Sequence, residues 1–575
     1  MDPGTDVDHV LQALGNVGRY QKFQLSMLFV FMLENAFHLI AANYISYRPD
    51  YNCKSVNATE LIYNQYKSAS NISDIHVKYG KCEIDINANV TGTEYQFSQS
   101  CPNGYEYDMP RDRSTVTEWD LVCEGSARSE LAQTLIMLGQ AVGAAIFSPL
   151  SDRYGRRPIN ILSRSLYLIA GVTAMFSPSI AVFSVFRLLI GTFQGGSVMT
   201  GTTMCVELLP TEFRHQGEGL AFLAWTLGIV FTSVVGYICQ NLPWRYFQMI
   251  LGLLSWHVVF DWLFLDESLR WLLANGKTKQ AIKIIKKAAS WNNQSFESVM
   301  ESVKKKQPLT SMELVIQPPE KPESNGNHQP LEVNGTTEVK QKVHKYSAFT
   351  ILKHKKILLV SVFLWVIWIT NTLTYYGLML MTSKFAGDRY LNNILGALAE
   401  VPAIIFQQLI INRIGRRYVL VMYHGLAGVT LIASSLCFTY SKQYDWLTPL
   451  STFFSILGRF AAVGSFSSVF LYTPELYPTN LRNVGLGMAS TISRIGSMIS
   501  PFAATLAEHV FWGPAVIFAV LNIICTVMLL TLPETMGRPL PTTVQEMKTW
   551  FKDKKLFDVR WPKHYRNRKE MSNNS

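Results

Sequence analysis

The chain runs in long apolar stretches separated by short polar ones, and this rhythm covers most of its 575 residues. Crossing a bilayer takes about 20 predominantly apolar residues. Runs of that kind fall near 23–45, 129–150, 160–178, 182–206, 218–240 and 245–265. After a long polar interval they resume near 357–382, 390–412, 417–439, 447–474, 483–508 and 511–532. A helix satisfies its own backbone hydrogen bonds inside lipid, so each run is predicted helical. The predicted fold is an all-α membrane protein with twelve transmembrane helices in two pseudo-symmetric six-helix bundles. A disulfide-bonded extracellular domain sits between helices 1 and 2. The first run ends without a small-residue cleavage pattern and reads as a retained helix.

The polar intervals give the domain plan: a cytosolic N-terminus over 1–22, helix 1 over 23–45 and an extracellular domain over 46–128. Helices 2–6 occupy 129–265, a cytosolic loop 266–356, helices 7–12 357–532 and a basic cytosolic tail 533–575. An even number of spans puts both termini on one side. The basic groups at Arg153–Arg157, Arg214 and Arg413–Arg417 share that side, which the positive-inside rule makes the cytosol. The loop opens with helical periodicity from Leu269 to Trp291, then becomes rich in Pro, Asn, Glu and Ser from Gln307 to Asn334, as disordered connectors are. Only 16% of residues are charged, against about 25% in soluble domains. The formal charge of +11 would suit nucleic acid only on the face of a folded soluble domain. Here it marks topology, and the expected surroundings are a lipid bilayer with no nucleic-acid partner. Nothing in the sequence speaks to oligomeric state.

Residues 46–128 carry four cysteines, Cys53, Cys82, Cys101 and Cys123, which suggest two disulfides in one of three connectivities. A zinc site is the rival, but the segment has no C-x2-C pair. Cys205, Cys239, Cys437 and Cys525 lie in or beside apolar runs and read as thiols. Asn57, Asn71 and Asn89 each open an N-x-S/T sequon and are candidate glycosylation sites.

Three patterns occur once in each half. Asp152-Arg153-Tyr154-Gly155-Arg156-Arg157 returns as Asn412-Arg413-Ile414-Gly415-Arg416-Arg417. Glu207-Leu208-Leu209-Pro210-Thr211 with Arg214 returns as Glu475-Leu476-Tyr477-Pro478-Thr479 with Arg482, and Glu267 with Arg270 as Glu534 with Arg538. From Arg153 to Arg413, Glu207 to Glu475 and Glu267 to Glu534 the offsets are 260, 268 and 267 residues. Parallel repeats of this kind are the mark of a transporter with two halves around a central site. Acids and guanidinium groups at the cytosolic helix ends can pair and hold an inner mouth shut. The gating candidates are Asp152, Arg153, Arg156, Arg157, Glu207, Arg214, Glu267, Arg413, Arg417, Glu475, Arg482 and Glu534. Gly155 and Gly415 allow a tight turn between helices.

These motifs are similar to those of the major facilitator superfamily, whose loop after the second helix carries a D-R-x-G-R-R pattern. The large outer domain, Glu475-Leu-Tyr-Pro-Thr and the ending Leu532-Pro533-Glu534-Thr535 narrow the resemblance to its organic ion transporter family of cation, anion and carnitine carriers. The resemblance runs from about Leu11 to Glu546. It implies a twelve-helix fold and a polyspecific central cavity; with the paired gate motifs, the expected protein is a plasma-membrane carrier that works by alternating access.

A charge at mid-bilayer costs about 2.5–3.5 kcal/mol on insertion scales and so needs a reason. Arg494 lies in the run 483–508 among Ser and Gly, where its fork of donors suits a carboxylate or sulfate. The resemblance implies Arg at this position in anion and carnitine carriers and Asp in cation carriers. Glu400-Val-Pro-Ala resembles the carnitine branch, while Ile404 stands where the anion branch carries Lys. Glu34 and His38, four apart, are expected on one helix face. Asn35 and Gln194 match amide positions that the carnitine branch uses near sodium. Asn371, Tyr375 and Tyr376 join Trp365 and Trp368 in the run 357–382, and aromatic faces there can hold flat or quaternary ammonium substrates. Arg494, Glu34 and Gln194 have no evident counterpart in the other half. The expected substrate is a small organic ion, a carnitine-like zwitterion first and an organic anion as the alternative. A non-transporting receptor on the same fold is the reading from another class. No cofactor is expected, and the coupling ion stays open between Na+ and H+. No nucleophile elbow, metal-ligand cluster or phosphate loop points to an enzyme.

Overall fold

The computed structural model describes residues 7–66, 72–90, 93–305, 348–382, 388–441, 443–478, 481–510, 512–536, 541 and 546. Among them, 11 helical segments are long and apolar enough to cross a membrane. The first half is built from α1 (Arg19–Glu34), α2 (Ser126–Tyr154), α3 (Arg156–Thr173), α4 (Ile180–Glu207), α5 (Arg214–Ile238) and α6 (Trp244–Leu253). The second half is built from α7 (Lys355–Met381), α8 (Arg389–Leu398), α9 (Glu400–Ile414), α10 (Arg416–Tyr440), α11 (Leu447–Leu476), α12 (Arg482–Ile499) and α13 (Gly513–Thr531). α12 falls short of the other spans: it carries Arg482 and Arg494, and the expected run 483–508 breaks before a second helix, Phe502–His509.

Small residues let the helices close on one another, as is usual where lipid gives no hydrophobic drive between them. A Cβ added at Gly139 or Gly143 of α2 would overlap the α4 backbone, and one at Gly191 or Gly195 of α4 would overlap that of α2. Gly155 and Gly415, at φ +118° and +112°, make the turns out of α2 and α9 as the sequence predicts. A side chain at either glycine would also meet a carboxylate, that of Glu267 or Glu534.

The first span is not one helix. After Glu34 it breaks at Asn35–Ala36 and continues as the short turns Phe37–Ile40 and Ala42–Ile45. Glu34 and His38 nonetheless both face α3: Glu34 meets Arg164, and the His38 ring packs edge-on against Tyr167, while its Nδ1 meets Gln248 at 3.1 Å.

Residues 46–128 contain β structure that the sequence pattern did not suggest. β1 (Tyr51–Cys53) pairs with β5 (Tyr105–Tyr107), and β2 (Ile72–Tyr79), β3 (Glu83–Val90) and β4 (Thr93–Ser100) form an antiparallel meander. Ile84, Ile86 and Ala88 alternate inward along β3 over buried Ile62. The disulfides join Cys53 to Cys101 and Cys82 to Cys123. Cys205, Cys239, Cys437 and Cys525 take no part in a disulfide. Asn57 is exposed, Asn71 lies outside the described residues, and of Asn89 only the place in β3 is described. The segment is tied to the first half by Ser114, whose hydroxyl donates to the Ile45 carbonyl at 3.1 Å, and by Glu118, paired with Arg245 at 2.5 Å.

At the opposite end, helix Val7–Ala13 packs Val10 and Leu11 against Leu272, Ile285 and Val299 of the stretch that follows residue 266. The end of the bundle bearing residues 46–128 is called the outer end and this one the inner end. Bonds between the halves gather at the outer end. Asn43 donates to the Met379 carbonyl at 3.1 Å and to Asn393 at 3.2 Å, and Tyr44 stacks on Tyr390 with rings 5.1 Å apart. Thr505 donates to Glu130 at 3.0 Å, and Thr134 to the Met498 carbonyl at 3.0 Å. The halves meet in an outer-closed arrangement.

Candidate functional site

Two polar groups bridge the halves at mid-depth. The first starts at Arg494, which α12 carries past Gly496, where close approach to the Ile369 carbonyl of α7 leaves no room for a side chain. Arg494 is half-buried and donates to Gln140 Oε1 of α2 at 3.3 Å. Gln140 donates to Gln194 Oε1 of α4 at 3.0 Å, and Gln194 in turn donates to the Asn35 carbonyl freed by the break in the first span. Arg494, Gln194 and Asn35, three residues chosen from sequence, thus lie on one line. Gln140, which links them, went unnoticed although it is an amide in the middle of an apolar run.

The second group centres on Glu400 at the start of α9. Arg459 of α11 donates to its Oε1 through Nε at 3.0 Å and Nη2 at 2.6 Å. Tyr375 donates to the same oxygen at 3.2 Å, and Thr226 of α5 donates to Oε2 at 3.1 Å. Trp225 Nε1 donates to the Tyr375 hydroxyl at 2.6 Å, and Tyr376 lies edge-on to Tyr375 within electrostatic range of both Arg494 and Glu400. Asn371 is buried a turn away and accepts from Ser465. Glu400 and Arg459 are each only 2% exposed. The carboxylate is fully engaged.

Glu34 is engaged as well. Arg164 donates to it at 3.2 Å and also holds Asp261, with His257 Nδ1 at 3.7 Å from the Glu34 carboxylate. Arg187 is buried and donates to the His38 carbonyl and to Gln133. Four charges inside the spans, Arg164, Arg187, Asp261 and Arg459, escaped the sequence reading. The signal was present, since each interrupts an apolar run just as Arg494 does.

At the inner end the repeated motifs build one arrangement twice. Glu267 accepts the backbone N–H groups of Arg156 at 3.0 Å and Arg157 at 3.2 Å, and Glu534 those of Arg416 at 2.9 Å and Arg417 at 3.0 Å. Each acid thus sits where the positive end of a helix dipole favours it. Burial pushes the Glu267 carboxyl above its usual range, opposed by the N–H groups that it accepts. Arg156 pairs with Asp152 at 2.8 Å and Glu207 at 3.4 Å, and Arg416 with Glu475 at 3.4 Å. Both clusters pair inside their own half. Arg482 donates to the Pro474 carbonyl at 2.9 Å, Arg157 to that of Trp262 at 2.6 Å and Arg417 to that of Leu532 at 3.0 Å. Arg153 lies over the Tyr154 ring, Arg413 is exposed, and the Arg214 side chain lies outside the described residues.

Comparison with known proteins agrees with this architecture. The sugar (and other) transporter family matches residues 86–546. The chain is 30% identical over 557 residues to solute carrier family 22 member 6-A of Xenopus laevis, covering 94% of this chain and 93% of that protein. It is 29% identical over 559 residues to organic anion transporter 3 of Mus musculus, covering 95% of each. Among solved structures, the partially occluded inward-open xylose transporter XylE from E. coli superposes with a TM-score of 0.58 at 14% identity, over 91% of this chain and 100% of that one. A major facilitator proton:xylose symporter structure of XylE superposes with a TM-score of 0.53 at 14% identity, over 92% and 99%. The chain is a multi-pass membrane transporter, not an enzyme, and belongs to the sugar (and other) transporter family and to solute carrier family 22.

Proposed function

We propose that this transporter carries organic anions across the plasma membrane by alternating access, with Arg494 receiving the anionic group. The observation that carries the proposal is a contrast among the buried charges. Arg164 and Arg459 already face carboxylates, and Arg187 is 2% exposed and spent on a carbonyl and an amide. Arg494 is half-buried and makes one hydrogen bond of 3.3 Å to a neutral amide. A guanidinium with donors to spare beside the junction of the halves is suited to a carboxylate or sulfate. Tyr376, partly exposed beside the buried Tyr375, offers a ring face to the organic body. The relative named organic anion transporter 3 supports the same substrate class.

This displaces the carnitine-like zwitterion. The two acids expected to face its ammonium group, Glu400 and Glu34, are instead bound to guanidinium groups.

In this reading Arg482–Ile499 with Phe502–His509 supplies a twelfth crossing, the outer end is extracellular, and both termini are cytosolic. The inner clusters then exchange partners between the halves when the outer mouth opens. Neither Na+ nor H+ is favoured as the coupling ion. Uptake into proteoliposomes of an aromatic monocarboxylate, a dicarboxylate and a betaine tests the assignment. Arg494→Ala is expected to cut uptake of both anions about 10- to 100-fold, the worth of a charge-assisted hydrogen bond. Arg494→Lys should recover part of it. Anion uptake unchanged in Arg494→Ala, or betaine carried in preference to both anions, would sink the proposal. Anion binding without net flux would favour the receptor reading.

A further inference from the structure

We propose a second anion site, for a carboxylate with an aromatic or apolar body, in the cavity between residues 108–114 and the closed outer mouth. The cavity measures about 320 Å³, within the range of about 300–1,000 Å³ usual for small-ligand pockets. Residues 108–114 roof it, and its walls come from both halves.

The chemistry of the walls selects an anion. Arg389 presses its guanidinium on the face of Tyr47, 4.0 Å from the ring centre, and on Tyr390 at 4.9 Å. Its Nη2 donates to the Tyr390 hydroxyl at 3.0 Å, but its Nη1 is buried without a partner. No carboxylate faces Arg389 among the described residues. A buried cationic donor left unmatched is costly and calls for an acceptor. Arg113 reaches in from the roof and uses only Nη1, on the Gln240 carbonyl at 2.9 Å and on Asn241. The Asp108 side chain, the sole carboxylate in the lining, is exposed. A cationic ligand would meet two guanidinium groups and find the nearest ring faces already occupied. The Tyr44 and Phe247 rings supply the apolar floor.

The site has a built-in consequence. Tyr44 of the first half and Tyr390 of the second stack with ring planes only 2° apart, and Arg389 of the second half lies on Tyr47 of the first. The cavity is therefore complete only while the outer mouth is closed. A ligand that binds one conformation shifts the equilibrium toward it. An external anion held here would slow reopening, and it would inhibit turnover without being carried. The inference needs nothing from Arg494, so either site can fail without the other.

Binding of 2-naphthoate to the purified full chain in nanodiscs, read by equilibrium dialysis, tests the proposal. Arg389→Gln and Arg113→Gln are each expected to weaken a site about tenfold or more, and that site must persist in Arg494→Ala. Met109→Trp, on the roof, should block the site by filling it, which keeps the test decisive even if the arginine variants fail to fold. External 2-naphthoate should inhibit the native transporter with a noncompetitive part beside any competition at Arg494, and Arg389→Gln should relieve the noncompetitive part alone. Unchanged isotherms in Arg389→Gln and Met109→Trp would overturn the proposal. So would equal binding of a naphthyl trimethylammonium probe at this site.

Discussion

Replacing Arg459 by methionine puts the buried charge accounting to its hardest test. Arg459 and Glu400 are each 2% exposed and share two hydrogen bonds, at 3.0 and 2.6 Å. Removing one partner of such a pair costs about 3–5 kcal/mol, because the remaining charge stays desolvated. Glu400 would keep only the neutral donors Tyr375 and Thr226, each worth about 1 kcal/mol net. They cannot replace a guanidinium. The double variant Arg459→Met with Glu400→Gln removes the stranded charge as well, and should cost only about 1–2 kcal/mol for the lost hydrogen bonds. The second substitution should therefore recover about 2 kcal/mol of what the first loses. Graded unfolding of the purified protein in mixed micelles would measure it, with surface abundance in cells as a parallel readout. If Glu400 were a free acid waiting for a substrate ammonium group, Arg459→Met would cost less than about 1 kcal/mol. The two single effects would then simply add, and the reasoning for an anionic substrate would lose its structural support.

Two further outcomes follow from the packing and from the repeat. Gly143→Val should prevent accumulation at the cell surface, since a Cβ there overlaps the Thr192 backbone, whereas Gly487→Ala, with nothing within 4 Å, should be tolerated. Equal surface levels of the two variants would refute the close α2–α4 crossing. Glu267→Ala and Glu534→Ala should each destabilise by about 1–2 kcal/mol through the lost helix-start contacts. Because the two acids occupy one repeated geometry, a loss in only one of them in the same unfolding assay would show that the repeat is formal.

The long spans were legible because lipid leaves the backbone few alternatives. The run 129–150 became Ser126–Tyr154, and 417–439 became Arg416–Tyr440. The tight turns at Gly155 and Gly415 were legible for the same local reason. The break at Asn35 was not, because neither Asn nor Ala stops a helix. Its freed carbonyl is answered by Gln194, 159 residues away. The disulfide connectivity and the small sheets of residues 51–107 were hidden for a related reason, since strand pairing there depends on partners far apart in the chain. The ion pairs of the site were equally non-local: 130 residues separate Arg164 from Glu34, and 59 separate Arg459 from Glu400. A sequence shows that a buried charge needs a partner, but which one it finds is decided by the fold.

The two bridges at mid-depth are related by the repeat, and this corrects the view that Arg494 has no counterpart. Gln140 and Glu400 are 260 residues apart, the offset of Arg153 and Arg413, and Thr226 and Arg494 are 268 apart, the offset of Arg214 and Arg482. Thr226 donates to Glu400 at 3.1 Å and Arg494 to Gln140 at 3.3 Å, so equivalent positions meet across the halves twice. The frame of the site is therefore symmetric and its charge is not. One bridge joins a carboxylate to a hydroxyl, the other a guanidinium to an amide. Without Arg459 the two charges would balance, and the site would suit a zwitterion. Arg459 cancels Glu400 from within the second half and leaves Arg494 unanswered. On this account the proposed preference for anions is set less by Arg494 itself than by a buried arginine that would touch no substrate.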